Sequence, residues 1–165
     1  MDFATYFYNK FGPFNARTYG FNSEPIEKED SERPELLPKE YANVIFYLSF
    51  LIAITAIYAF VKQYYDVFLF CVLGLLTSLN HWRDARFGFR RNVDMLVIVI
   101  GFIYLITRAI ILRLDSWLFW ICISLVVLCY PIGWYLHYKN HIWESSILHC
   151  ILHVCGNLSI MVFCS

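Results

Sequence analysis

The 165-residue chain is 59% hydrophobic and 19% aromatic, but only 16% of its residues are charged. A soluble domain carries about 25% charged residues, so the composition excludes an ordinary soluble globular protein. Lysine and arginine together number 13, as do aspartate and glutamate, and the zero net charge gives no reason to expect a nucleic-acid partner. The apolar residues come in long runs, which indicates a protein that crosses the lipid bilayer several times.

The beginning of the chain differs in character from the rest. Residues 1–40 are rich in phenylalanine, tyrosine and charged side chains, with no continuous apolar run. We expect this segment to lie at the membrane interface or to be flexible. Residues 41–165 are predicted to form a transmembrane helical domain.

The transmembrane domain contains five apolar runs, each close to the roughly 20 residues that an α-helix needs to cross a bilayer. The predicted spans cover about residues 41–61, 64–82, 92–112, 116–136 and 143–163. The sequence therefore predicts an all-α, polytopic membrane protein, a bundle of about five transmembrane helices. Pro131 is expected to bend the fourth span near its end.

The loop between the second and third spans predicts the orientation of the protein. Residues 83–91 contain four arginines and one aspartate. Loops rich in arginine and lysine remain on the cytoplasmic side, so we expect this loop in the cytoplasm. Two spans precede it, which places the N-terminus on the same side.

The last predicted span contains two histidines, His149 and His153, four residues apart. On a helix they share one face, roughly 6 Å apart, a spacing that can hold one metal ion. Ionisable residues inside a membrane span are costly and mark candidate functional sites.

Other polar side chains are predicted to lie at the same depth as this pair. His81 ends the second span, preceded by Thr77 and Ser78, and Asp94 begins the third span. The last span starts from the same side of the membrane, so its two histidines should approach these residues. Three histidines with an open fourth position are typical of catalytic zinc, and a nearby carboxylate could orient a water molecule and take its proton.

These residues resemble the motifs of the CREST superfamily, which contains the alkaline ceramidases and the adiponectin/progestin receptors. The residues that carry the resemblance are Thr77, Ser78, His81, Asp94, His149 and His153. The resemblance covers roughly residues 74–95 and 143–156. It implies a membrane-embedded zinc hydrolase that cleaves amide or ester bonds of a membrane lipid substrate.

The resemblance also implies a role for each residue. The three histidines would bind Zn²⁺, and Asp94 would activate the attacking water. The family's hydroxyl is usually a serine four residues before the first histidine, where this chain has Thr77 followed by Ser78. Either hydroxyl could help to stabilise the oxyanion.

Two alternatives remain open at this point. The histidines could be structural and hydrogen-bond to neighbouring helices, as polar residues in membrane bundles do. The chain would then be a non-enzymatic membrane subunit or receptor-like protein with a membrane-protein partner. Haem binding is the other alternative, with His81 and His149 as axial ligands from facing helices.

Overall fold

The computed structural model describes residues 36–165, which are mostly helical and contain no β-strand. Residues 1–35, most of the predicted interfacial segment 1–40, lie outside the described residues. The helices are α1 (Lys39–Leu48), α2 (Leu51–Val61), α3 (Tyr65–Trp82), α4 (Phe89–Ile111), α5 (Trp117–Tyr138) and α6 (Ile142–Phe163). The predicted all-α class is confirmed.

Four stretches within residues 36–165 are long and apolar enough to cross a membrane. They are α4, α5, α6 and the segment Lys39–Val61, which consists of α1 and α2 in succession. Helix α3 has 18 residues and carries Asp66 and His81, so it is shorter and more polar than a typical span. The chain is therefore a multi-pass membrane protein, and the predicted bundle of about five helices is confirmed.

The helix bounds differ from the predicted spans in places where local chemistry overrides hydropathy. The first span is interrupted after Leu48, where the Ser49 hydroxyl donates to the Ile45 carbonyl at 2.9 Å. A serine that bonds to the carbonyl one turn earlier tends to bend a helix. Helix α5 continues through Pro131 to Tyr138, so the predicted end near residue 136 is too early.

Helix packing leaves α4 apart from the last two helices. The α5–α6 hairpin is the most extensive helix pair, and α6 also packs on α2 and α1. Helix α4 packs chiefly on α3. At that contact Gly74 faces Ile98 and Gly101 faces Phe70, and an added Cβ would meet them at 3.4 and 3.5 Å, which are ordinary van der Waals distances.

A polar cluster also connects α3 and α4, at the end of the bundle away from the basic loop. Asp66 accepts hydrogen bonds from the Tyr104 hydroxyl and the Arg108 guanidinium. Arg108 lies over the rings of Tyr64 and Phe163, 5.6 and 5.8 Å from their centroids. The negative charge of Asp66 on α3 is thus paired with the positive charge of Arg108 on α4.

The residues just before α1 pack against the basic loop. Leu36 and Leu37 are buried in an apolar cluster with Trp82 and Ala85. The Leu36 amide donates to the Ala85 carbonyl at 2.7 Å. This contact covers the end of α3 where His81 lies.

Candidate functional site

Asp94 lies near the start of α4 and is only 6% exposed. Its Oδ1 accepts a hydrogen bond from Ser78 Oγ at 2.7 Å and another from Thr77 Oγ1 at 2.9 Å. The structure therefore brings the carboxylate and both candidate hydroxyls, predicted from different spans, into direct contact.

In this arrangement both hydroxyls donate their hydrogen bonds to the carboxylate. A hydroxyl has one proton to donate, and both protons are directed to Asp94, with that of Thr77 shared with the Gly74 carbonyl at 3.2 Å. Neither hydroxyl can donate to an oxyanion at the same time. Ser78 and Thr77 thus fix the position of the Asp94 side chain.

The three histidines follow one another in a row that includes a tryptophan. The His81 ring centroid lies 4.6 Å from that of Trp82, which lies 4.7 Å from that of His149. His149 in turn lies 5.2 Å from His153. The structure therefore brings all three imidazoles to one region, with the Trp82 indole in contact with two of them.

The environment of the imidazoles differs along the row. His81 is 2% exposed, and its buried Nδ1 has no hydrogen-bond partner within residues 36–165. His149 and His153 are half-buried, since both line a cavity. An unpaired buried nitrogen is costly, so His81 is the residue that would gain most from a ligand.

The donors fit a zinc ion by chemistry but not by their present arrangement. Imidazole nitrogen is a common zinc ligand, and the unpaired Nδ1 of His81 is consistent with a missing ligand. However, in the described part of the chain no three histidine, cysteine or acidic side chains are grouped closely enough to hold a metal ion. One reason why the histidines are not grouped around a metal position is that the Trp82 indole contacts both His81 and His149.

A large apolar cavity of about 450 Å³ opens from this cluster. Ser78, Asp94, His149 and His153 line its polar end. The apolar walls come mainly from α3, α4 and α6, with a smaller part from α5, and include Ile98, Phe102, Leu105, Val126, Leu152 and Ile160. This volume falls within the roughly 300–1,000 Å³ of small-molecule pockets.

A second cavity, of about 70 Å³, lies toward the basic loop. His81, Arg91 and His137 line it. The two cavities share wall residues, namely Trp82, Asp94, Met95, Tyr130, His149 and Leu152. All of the predicted site residues except Thr77 therefore line one or both of these adjoining cavities.

Two residues of the site were not singled out from the sequence. Trp82 resembles any aromatic residue at a membrane interface, and no pattern indicates its place in the histidine row. Asn157 of α6 accepts from the Thr55 hydroxyl at 2.7 Å, and its amide donates to the His153 carbonyl at 2.7 Å. An amide inside an apolar span was the available signal, because such groups bond across helices.

No protein-family model, curated protein or solved structure matches this chain. The resemblance to the CREST superfamily therefore stays a prediction from the residues that carry it. Any function assigned to the chain rests on the positions of those residues in the fold.

Proposed function

We propose that the protein is an integral-membrane, zinc-dependent hydrolase of lipid amide or ester bonds, ceramidase-like in its chemistry. The observation that supports it most is the buried Asp94 carboxylate, held by Ser78 and Thr77 at the polar end of an apolar cavity. A fixed carboxylate beside a substrate-sized cavity suits a general base. Its position inside a membrane span favours a functional role over a purely structural one.

The histidines are the candidates to hold the metal. Zinc bound by His81, His149 and His153 would polarise a lipid carbonyl and activate water. Because these donors do not converge in the described residues, binding would require their rings to turn away from the contacts with Trp82.

The remaining roles belong to the chain itself. Asp94 would accept a proton from the attacking water, and the hydroxyls of Ser78 and Thr77 would keep its carboxylate aimed at the reaction centre. The apolar walls would hold the lipid chain and exclude bulk water. By the positive-inside rule the basic loop, residues 83–91, and the polar end of the site would face the cytoplasm.

A second candidate is a non-enzymatic membrane subunit or receptor-like protein with structural histidines. The observation that favours it is the histidine row itself. In the part of the chain described, the imidazoles contact the Trp82 ring or each other, and no three of the possible metal donors are grouped around one point. In this case the imidazoles would serve packing between α3 and α6.

Metal content separates the two candidates. The full chain is purified in detergent, and its zinc is measured by elemental analysis beside His81→Ala and His149→Ala variants. We expect about one zinc per chain, lost in both variants. His141→Ala is the matched control, because His141 is exposed and pairs with Glu144 at 3.5 Å, outside the cluster. If the wild-type protein contains no zinc and the variants fold normally, the hydrolase is excluded and the second candidate remains.

Catalysis is tested on the same preparations with one amide-linked and one ester-linked lipid. Asp94→Asn keeps the shape of the side chain but removes its basic carboxylate. We expect this variant to retain zinc and to hydrolyse the better substrate about 100-fold more slowly or worse, since a general base contributes about 10²–10⁴-fold. Unchanged hydrolysis in this variant would exclude Asp94 as the base.

A further inference from the structure

We propose that the large cavity takes one hydrocarbon chain of a membrane lipid directly from the bilayer, through a mouth between α4 and α5. The inference rests on the proposed function only in treating this cavity as a lipid site. It depends on neither zinc nor hydrolysis, so it can be tested without them.

The mouth is marked by side chains that line the cavity and are also exposed on the outside of the bundle. Every exposed residue of the cavity lining belongs to α4 or α5, namely Ile98, Val99, Ile103, Val127 and Tyr130. Side chains that face both the cavity and the outside form the rim of an opening. Since α4 and α5 are both long and apolar enough to cross a membrane, this opening faces the bilayer.

Helix α4 can form one side of such a mouth because its packing is one-sided. Within residues 36–165, α3 is the only helix that packs extensively on α4. Toward the polar end of the cavity, the Tyr130 hydroxyl on α5 donates to Met95 Sδ on α4 at 3.8 Å. A thioether is a weak acceptor, so this contact between the two helices can open when a lipid enters.

The depth of the cavity matches one leaflet of the bilayer. Its lining on α4 runs from Asp94 to Leu105, which is roughly 16 Å at about 1.5 Å per residue. The hydrocarbon core of a bilayer is about 30 Å thick, so one leaflet contributes about 15 Å. Asp94 lies near the start of α4, beside the basic loop, and Leu105 lies deeper in the span. A lipid of that leaflet can therefore move its chain sideways into the cavity without a change in depth.

A hydrocarbon chain suits this space better than a helix of a partner protein. Behind the mouth the cavity reaches an inner wall that includes Cys71 on α3 and Leu105 on α4, each only 4% exposed. A helix with its side chains is about 10–12 Å across, so it can cover the mouth but cannot pass between α4 and α5 where Tyr130 contacts Met95. A flexible hydrocarbon chain can reach the inner wall and leave its polar group near Asp94.

The test asks whether a lipid of the bilayer reaches this inner wall. The full chain is placed in nanodiscs with one copy per disc, a metal chelator and a small fraction of phosphatidylcholine that carries a photoreactive diazirine in the middle of one acyl chain. After illumination, the labelled residues are located by peptide mass spectrometry. We expect label on Cys71 and Leu105 as well as on Ile54, an exposed reference residue of α2 that does not line the cavity.

Val127→Trp narrows the mouth from α5. It should lower the label on the inner wall, relative to that on Ile54, by about 5-fold or more, because the indole occupies space that the lipid chain needs. Leu128→Trp is the matched control and should leave this ratio unchanged. Leu128 is 57% exposed and Val127 is 56% exposed, but only Val127 lines the cavity.

Two results would each overturn the proposal. An unlabelled inner wall in the wild type would show that bilayer lipid does not enter. The same ratio in Val127→Trp as in the wild type would show that lipid enters by another route. If Val127→Trp fails to fold, Ile103→Trp decides, with Ile100→Trp as its control, because both residues are exposed on α4 and only Ile103 lines the cavity.

Because the chelator removes any metal, these results are independent of zinc content and of hydrolysis. A labelled inner wall in a protein that never contains zinc would refute the hydrolase and keep the lipid site. Zinc-dependent hydrolysis with an unlabelled inner wall would do the opposite.

Discussion

The hydrogen bonds that Ser78 and Thr77 donate to one oxygen of Asp94 predict a non-additive effect of mutation. Ser78→Ala alone leaves Oδ1 with the bond from Thr77, and Thr77→Val alone leaves the bond from Ser78. We expect each single change to lower the free energy of unfolding by about 1 kcal/mol, typical of one bond between membrane helices. The double variant leaves a buried carboxylate oxygen unsatisfied, which adds about 1–3 kcal/mol to the sum.

The free energy of unfolding can be measured in bicelles by steric trapping for the wild type, both single variants and the double variant. Ser124→Ala is the control, because Ser124 is exposed and its hydroxyl donates to the Trp120 carbonyl of its own helix at 2.8 Å. It should change stability by less than about 0.5 kcal/mol. A double variant whose loss equals the sum of the singles would refute the argument that both hydroxyls serve one acceptor.

Two further predictions concern the apolar cavity and the distant polar cluster. Gly156 lines the cavity, and an added Cβ there meets no atom within 4 Å, so Gly156→Ala should leave stability unchanged while narrowing the cavity and lowering affinity for a long-chain lipid. Native mass spectrometry with matched long- and short-chain lipids would check this, and equal loss for both would contradict it. Arg108→Gln alone should lower the free energy of unfolding more than the double variant Arg108→Gln, Asp66→Asn does. The single change leaves the Asp66 carboxylate without its cation, whereas the double change removes both charges. The same unfolding assay tests this, and a double variant less stable than the single would contradict it.

The depth of the site could be predicted because helix geometry fixes it. Each residue advances a helix by about 1.5 Å, and successive spans reverse direction. His81 at the end of one helix and Asp94 near the start of the next must therefore lie near one membrane face. The same reasoning brings His149 and His153 to that level, since α6 begins there.

Lateral positions within the bundle could not be predicted in the same way. They depend on side-chain volumes at contacts such as Gly74 and Gly101, where α3 and α4 approach, and on the cavity that separates α4 from α5 and α6. The position of Trp82 among the histidines depends on this lateral packing. Hydropathy therefore predicts which residues share a depth, but not which of them touch.

The pairing of α3 with α4 has a consequence for how the protein is made. Helix α3 is the least suited to enter lipid on its own, because a charge at the centre of a span costs about 2.5–3.5 kcal/mol, and less near its ends, where Asp66 lies. In the folded bundle that carboxylate is matched by Arg108 and Tyr104, and the hydroxyls near the other end bond to Asp94, all on α4. The two helices thus mask each other's polar groups. A nascent chain should consequently commit α3 to the bilayer only once α4 has left the ribosome, so that the pair inserts together as a helical hairpin.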